Sequence, residues 1–340
     1  MGIRKLSTAS LNAWVDRIIA ENRVIGIQAK DDKFAFAPLS EADDLRLDYD
    51  VAYTPPKAFF QPPTETLIRY RGNEYESVVD DEPFVLFGVH PYDMVALNQM
   101  AEIWSRDNYD QHYMARWEQA TIVACDVQNC SENCFAGCMG TANVKEGFDI
   151  LLTKIGDHYL ADCQTEKGEK LLELLEDSQE AGEKDLQARR EVWHANNRLL
   201  RQHELKMFPG DLPELLEENY DHPVWEEQAE LCFSCGSCNL CCPTCYCFDV
   251  QDDVEWDLES GERKRAWDGC MLASFATVAG GHNFRAERTE RFRHRYYRKG
   301  KYVPEMIGEC ACVGCGRCIS ACVANIANPV TVYNRLLEDE

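Results

Sequence analysis

Nothing in the 340 residues approaches the ~20 consecutive apolar residues of a membrane span. The stretch 1–15 holds no apolar core long enough for a secretory signal and runs into an amphipathic helical pattern instead. Leu6 occupies the place where N-myristoylation wants Ser or Thr. Positive charge is in short supply: 35 Lys and Arg face 59 Asp and Glu, and the net charge of −24 speaks against a general nucleic-acid role. No G-x-G-x-x-G follows any strand-like run, so NAD(P)H and flavin are expected on another chain. No Ser-His-Asp set and no pair of carboxylates stands out as a catalytic constellation. What remains is a chain expected in the cytoplasm, long enough for two domains with sizeable cores.

Cysteine is present in excess, with 18 copies. In a short secreted chain such a number means disulfides; in a long chain without a signal peptide it means reduced thiols and metal chemistry. Cys232, Cys235 and Cys238 stand at intervals of three, and Cys242 follows four residues later, directly before Pro243. This is the bacterial ferredoxin run for a [4Fe–4S] cluster: three thiolates reach one cube, while the fourth is sent towards a second cube. One run therefore predicts another. Cys312, Cys315, Cys318 and Cys322 repeat the spacing, with Gly314 and Gly316 in the tight loop. Cross-ligation assigns Cys232, Cys235, Cys238 and Cys322 to one cluster, and Cys312, Cys315, Cys318 and Cys242 to the other. A zinc site would more often show two C-x-x-C pairs with a longer spacer between them.

The remainder of the chain frames these runs. Residues 7–21 read as a helix capped by Ser7 or Thr8, with Leu11, Trp14, Ile18 and Ile19 on one face. Segments 24–29 and 33–37 alternate around Asp31 and Asp32 as a hairpin. The continuous apolar runs 84–89 and 121–125 read as buried strands, with a helix over 93–104 between them. The fold class expected is α+β. An N-terminal α/β domain covers 1–165 and carries a Cys-rich segment at 125–138. A helical connector over 166–230 follows, with helical spacing at 170–176 and 187–205. The last part, 231–340, is a ferredoxin-like dicluster domain. Its two runs are separated by a long insertion, in which a helix is expected over 271–279.

Ten cysteines lie outside the eight ferredoxin-type positions. Cys125, Cys130, Cys134 and Cys138 fall within fourteen residues after a strand. They suit a third [4Fe–4S] cluster, a zinc ion, or buried thiols without a ligand. Cys245, Cys247 and Cys270, with Cys241 or Cys310, form a second spare set whose role the spacing leaves open. Cys163 stands alone and reads as a core residue. The segment 261–301 is the one basic stretch, with eleven Lys and Arg against four Asp and Glu. It reads as pairing with the chain's own acidic surface and as a docking face for an acidic partner, while His282 and His294 read as structural.

The sequence resembles the iron–sulfur β subunits of cytosolic hydrogenase/sulfur reductase complexes and the related iron–sulfur subunit of anaerobic sulfite reductase. The resemblance covers almost the whole chain. It is carried by QPPTETL at 61–67, FGVHPYD at 87–93, NCSENCFAGCMGT at 129–141, CCPTCYCFDV at 241–250, RAWDGC at 265–270, GGHNFR at 280–285 and CVGCGRC at 312–318. It departs from the family where His90 and Tyr92 replace an arginine and a cysteine. It departs again at Cys134-Phe135-Ala136, where the family tends to read Cys-Phe-Cys, and at Val323, where a proline often follows the last cluster cysteine. The resemblance implies an electron-transfer subunit of a multisubunit oxidoreductase that does no substrate chemistry of its own. Such a subunit passes electrons between a flavin/NAD(P)H subunit, which holds the FAD, and a catalytic partner of hydrogenase, sulfite/sulfur reductase or heterodisulfide-reductase type. The alternatives are a reductase using a cluster not of the ferredoxin type, or a metal-dependent scaffold.

Overall fold

The computed structural model describes residues 2–338. Its larger sheet starts with β1 (Ile3–Ser7), which leads directly into α1 (Thr8–Glu21). The helix begins where the Ser7 side chain accepts from the Ser10 N–H, an N-cap that satisfies one of the orphan donors of the first turn. The hairpin β2 (Val24–Lys30) and β3 (Lys33–Pro38) turns at Asp31, which adopts φ +54°. After β4 (Thr64–Arg71) and β5 (Glu74–Ser77) come β6 (Phe84–Val89), α2 (Pro91–Ser105), α3 (Gln111–Gln119) and β7 (Ala120–Cys125). A short α4 (Ala136–Met139) precedes β8 (Ile150–Ile155), β9 (His158–Cys163), α5 (Glu166–Leu172), β10 (Gln179–Glu180) and α6 (Glu183–Leu199).

Eight strands form this sheet in the order β10-β1-β9-β8-β7-β6-β2-β3. The central four, β2, β6, β7 and β8, run parallel, and the outer ones are antiparallel. The central strands are apolar where they bury both faces, as in β6 and the starts of β2 and β8. Val85 and Phe87 enter the core under α1, whereas Phe84 and Leu86 enter the core under α2 and α3. The same alternation separates Val123 and Cys125 from Ile122 and Ala124. Cys163 is buried in the core under α1.

Beyond α6 the chain forms α7 (Leu212–Glu218), α8 (Val224–Leu231) and α9 (Ser237–Leu240). The hairpin β11 (Phe248–Val254) and β12 (Ser260–Trp267) follows, then α10 (Arg288–Tyr297), α11 (Val303–Ile307), α12 (Arg317–Ser320) and α13 (Pro329–Leu336). The mixture of helices and sheets is α+β, as expected. The helix expected over 271–279 is absent: 271–287 is a series of turns. Asn239 Oδ1 accepts from the Met271 N–H, Val278 is left exposed, and Gly280 and Gly281 turn at φ +91° and +81°. Only Met271 of the stretch is buried, so a helix there would leave most of its apolar face in solvent.

The hairpin from the insertion does not stand apart. β12 pairs antiparallel with β4, giving a second sheet in the order β11-β12-β4-β5, built from the first and last thirds of the chain. Buried charges tie that sheet to α3. Glu65 of β4 receives Arg116 at 2.7 Å and Arg265 of β12 at 2.6 Å, and Arg265 also pairs with Asp110. Among the described residues no helix is long and apolar enough to cross a membrane.

Candidate iron–sulfur sites

Two cavities lie in the last third of the chain, each with about 430 Å³ of space between its walls, solvent at its mouth included. Cys232, Cys235, Cys238 and Cys322 line the first, together with Phe233, Val323, Met271 and Ile326. Cys242, Cys312, Cys315 and Cys318 line the second, together with Phe135, Lys299, Tyr296 and Tyr333. Each cavity is ringed by three thiols of one run and one of the other. The chain achieves this with a repeated local device. Gly236 and Gly316 adopt φ +75° and +77° and open the short helices α9 and α12, which carry Cys238 and Cys318. Left-handed glycines at those points turn the loop back around the thiols, a conformation costly for residues with a Cβ.

The cavities fit a cubane rather than a single ion. Among the described residues no three His, Cys, Asp or Glu side chains converge closely enough to hold one metal ion. A zinc site at ~2.3 Å per sulfur would require such convergence. Burial raises the free thiols: Cys238 and Cys315 are both pushed up to about 12. A cluster bound there must therefore displace the protons these thiols hold, and its binding releases them. Arg295 lies between the cavities and lines both; it is buried, with its Nε lacking any hydrogen-bond partner. An uncompensated guanidinium inside a protein costs several kcal/mol, and anionic thiolate-bound centres on both sides would supply what it lacks.

The wall of the second cavity comes from the larger sheet. The segment 129–141 leaves the carboxyl end of β7 and lies against the loop of the second run, where the Phe135 N–H donates to Gly314 O at 2.7 Å. A Cβ on Gly314 would meet the backbone of Ala136 at 2.6 Å, so only glycine permits this approach. Thr141 Oγ1 donates to Val313 O at 2.6 Å. Arg317 turns away from the thiols towards the start of α2, where its guanidinium grips both Asp93 oxygens at 2.6 Å while its Nε donates to Ala52 O. That fork raises the Arg317 pKa against the pull of burial. The departures at His90 and Tyr92 compensate one another: His90 Nδ1 and the Tyr92 hydroxyl are 2.7 Å apart, and the His90 ring stacks on Tyr49 at 3.8 Å.

The four cysteines of the N-terminal set are not brought together. Cys125 packs in the core under α1, Cys138 among Leu205, Leu212 and Trp225, and only Cys130 and Cys134 touch. The segment serves instead as backing for the second cavity. Cys245, Cys247 and Cys270 do meet, around a smaller cavity of about 260 Å³. Cys241 and Cys310 are absent from its lining.

Within the basic segment 261–301, the sequence reading does not distinguish the cations that turn inward to these sites. Arg291, Arg295 and Lys299 recur every four residues on the buried side of α10 and the π-helical turn 298–302, a spacing that marked an inward basic stripe. The basic segment is therefore largely internal. Arg291 bonds the carbonyl of Arg285 at 3.0 Å, Arg293 covers the Tyr220 ring, and Lys301 pairs with Glu217 and Glu305. His294 is pushed down to about 4 by burial and Arg285, while His282 packs on Phe284.

Residues 231–326 match the family model of the 4Fe-4S dicluster domain. Along its length the chain is similar to sulfhydrogenase 2 subunit beta of Pyrococcus furiosus, with 33% identity over 323 residues covering 95% of both chains. A dicluster domain with its thiols around two cavities, joined to a match of that extent, places the chain by descent as well as by chemistry: it belongs to the family of iron–sulfur β subunits that includes the sulfhydrogenase subunit.

Proposed function

We propose that this chain is the electron relay of a cytosolic multisubunit oxidoreductase of anaerobic type, standing between a catalytic partner and a flavin/NAD(P)H subunit. The catalytic partner would be of hydrogenase, sulfite/sulfur reductase or heterodisulfide-reductase type. The observation that carries the reading is the division of eight cysteines between two cavities, with one cysteine exchanged between the runs. Cys232, Cys235, Cys238 and Cys322 would hold one [4Fe–4S] cluster, and Cys312, Cys315, Cys318 and Cys242 the other. Each cluster, when bound, takes up or gives up one electron without a change of ligands.

The protein residues supply the surroundings of that exchange. Arg295 offers positive charge to both sites, which favours an added electron on either side. Phe233 and Val323 flank the first cavity at 70% and 79% exposure, beside the exposed Cys235. They form an apolar rim at which a partner excludes water. Phe135, Tyr296 and Tyr333 screen the second cavity from solvent. No residue set in either cavity is arranged for acid–base or nucleophilic work, so substrate chemistry belongs to the partner.

Anaerobic iron and acid-labile sulfide analysis of the purified chain tests the assignment, with at least about eight irons per chain expected. About one zinc and no sulfide would overturn it. Steady-state oxidation of NAD(P)H, or reduction of sulfite, sulfur or protons, by this chain alone would favour a catalytic role over a relay.

A further inference from the structure

A third group of thiols lies against the second cavity. Cys245, Cys247 and Cys270 line a partly open space of about 260 Å³, solvent at its mouth included, with Asn239, Thr244, Tyr246, Arg295, Arg298 and Lys299. Cys247 and Cys270 touch each other, and Cys245 touches Cys242 of the second cavity. The group is supported from behind by Asn239, which is 1% exposed. Its one amide nitrogen donates to two sulfurs, to Cys270 at 3.5 Å and to Cys245 at 3.6 Å, while its oxygen accepts from the Met271 N–H at 3.2 Å. A side chain whose donor is shared between two sulfurs is placed to hold them as thiolates, since a neutral thiol is a poor acceptor.

Charge points the same way. Arg295 and Lys299 are buried in the lining, Arg298 is half-buried there, and Lys57 is buried behind Cys245. Lys57 Nζ donates to Cys245 O at 2.5 Å, Lys299 Nζ donates to Thr244 Oγ1 at 2.6 Å, and Arg298 meets the Tyr246 hydroxyl. Among the described residues none of the four has a carboxylate in ion-pair contact. Such a shell is costly unless the site inside is anionic. Lys57 and Arg298 line this cavity or back it and do not line the other; each lies over an aromatic ring, Trp267 and Tyr246, and an anionic centre here would be the nearer full charge for both. A single zinc ion is the poorer occupant, because the three sulfurs ring a cavity and do not converge on a point.

We propose that Cys245, Cys247 and Cys270 are the protein ligands of a third [4Fe–4S] cluster, held by three thiolates and placed beside the second cavity. Only three thiols line the space, so the fourth iron takes a non-cysteine ligand, and the cationic lining selects a small anion for it. The site requires the relay reading only in that Cys242 and Cys245 are in contact.

Iron and sulfide counting on the purified wild-type chain reads about twelve of each if the site is filled, against about eight for two clusters. The Cys247→Ser/Cys270→Ser variant then falls by about four irons and keeps the paramagnetic signals of both ferredoxin-type clusters. The Cys130→Ser/Cys134→Ser variant keeps the full count. Mild ferricyanide oxidation of the wild type adds a readout independent of any variant's folding. A cube with three thiolates sheds the iron that no cysteine holds and shows a three-iron signal at a lower dose of oxidant than the two four-cysteine sites need. A wild-type count of about eight with both ferredoxin-type signals overturns this site and spares the relay. A count of about eight irons plus one zinc replaces the cluster with a zinc site. A count near zero overturns both readings, and an unchanged count in Cys247→Ser/Cys270→Ser moves the extra iron elsewhere and overturns this assignment.

Discussion

The first cavity opens on an apolar surface and the second lies deep between two parts of the chain, although the same spacing of cysteines lines both. In the first, Cys235 is exposed and Phe233 and Val323 stand in solvent. In the second, Cys315 and Cys318 are buried, and the loop that carries them is backed by segment 129–141 and tied through Arg317 to Asp93 at the start of α2. Spacing decides which thiols can reach one cube. Exposure, nearby cations and sulfur hydrogen bonds set a cluster's potential, and those are written by residues far away in sequence. On the proposed relay, the first cavity would exchange electrons with a partner and the second would pass them through the interior.

The sharpest way to break this picture is to cut the exchange of cysteines. Replacing Cys242, which belongs to the first run, with Ala should remove about four irons from the site of Cys312, Cys315 and Cys318. Paramagnetic resonance of the reduced variant identifies the missing signal. Loss of the signal from Cys232, Cys235 and Cys238 instead would mean that the runs form separate sites. Next in size is Asp93→Asn, which leaves Arg317 buried without its carboxylate and should cost about 3–5 kcal/mol of stability. Thermal unfolding should weaken, and the second cluster should be lost before the first. Asp93→Leu/Arg317→Leu removes both charges and should recover most of that loss. If Asp93→Asn loses the two clusters together, the second cavity does not depend specifically on the sheet.

A pair of glycines separates loop conformation from docking. Gly236 and Gly314 both lie at positive φ, +75° and +68°. An added Cβ at Gly236 meets only the end of the flexible Leu272 side chain at 3.0 Å, whereas at Gly314 it meets the Ala136 backbone at 2.6 Å. Gly236→Ala should therefore cost about 1 kcal/mol of backbone strain, and Gly314→Ala about 2–3 kcal/mol. Equal losses in chemical denaturation would mean that segment 129–141 yields freely and does not hold the second cavity closed.

What the sequence made legible follows the range over which each signal acts. The Ser7 cap, the strands at 84–89 and 120–125 and both cysteine runs depend on residues within a few positions of one another. The pairing of β4 with β12 joins residues nearly two hundred positions apart, and nothing local in 64–71 names its partner. The N-terminal cysteines were grouped because they are close in sequence. Yet Cys125 lies in a strand buried on both faces, and its side chain points to the core opposite the one that receives Ala124. Arg317 stood next to Cys318 in the motif but reaches Asp93 instead, a contact fixed only when α2 docks. The helix expected over 271–279 failed for a related reason: its composition was helical, but no surface was there to bury its face.

The smallest effect, and the most direct reading of the difference in exposure, is the reactivity of free thiols. The Ser237 hydroxyl lies 3.4 Å from the Cys235 sulfur and draws its pKa below the usual 9.0. Burial pushes Cys315 up to about 12, a rise that the nearby Arg317 reduces without cancelling. Alkylation proceeds through the thiolate, so its rate climbs with pH until the thiol's pKa is passed. In cluster-free protein prepared anaerobically, Cys235 should react first, and its rate should level off below pH 9. Cys315 should still be speeding up there and remain mostly protected at pH 8. Peptide mass spectrometry over a series of pH values measures both sites in one sample. Uniform reactivity with ordinary thiol behaviour at both positions would mean that the clusters themselves create the difference between the cavities, and that the surrounding chain only receives it.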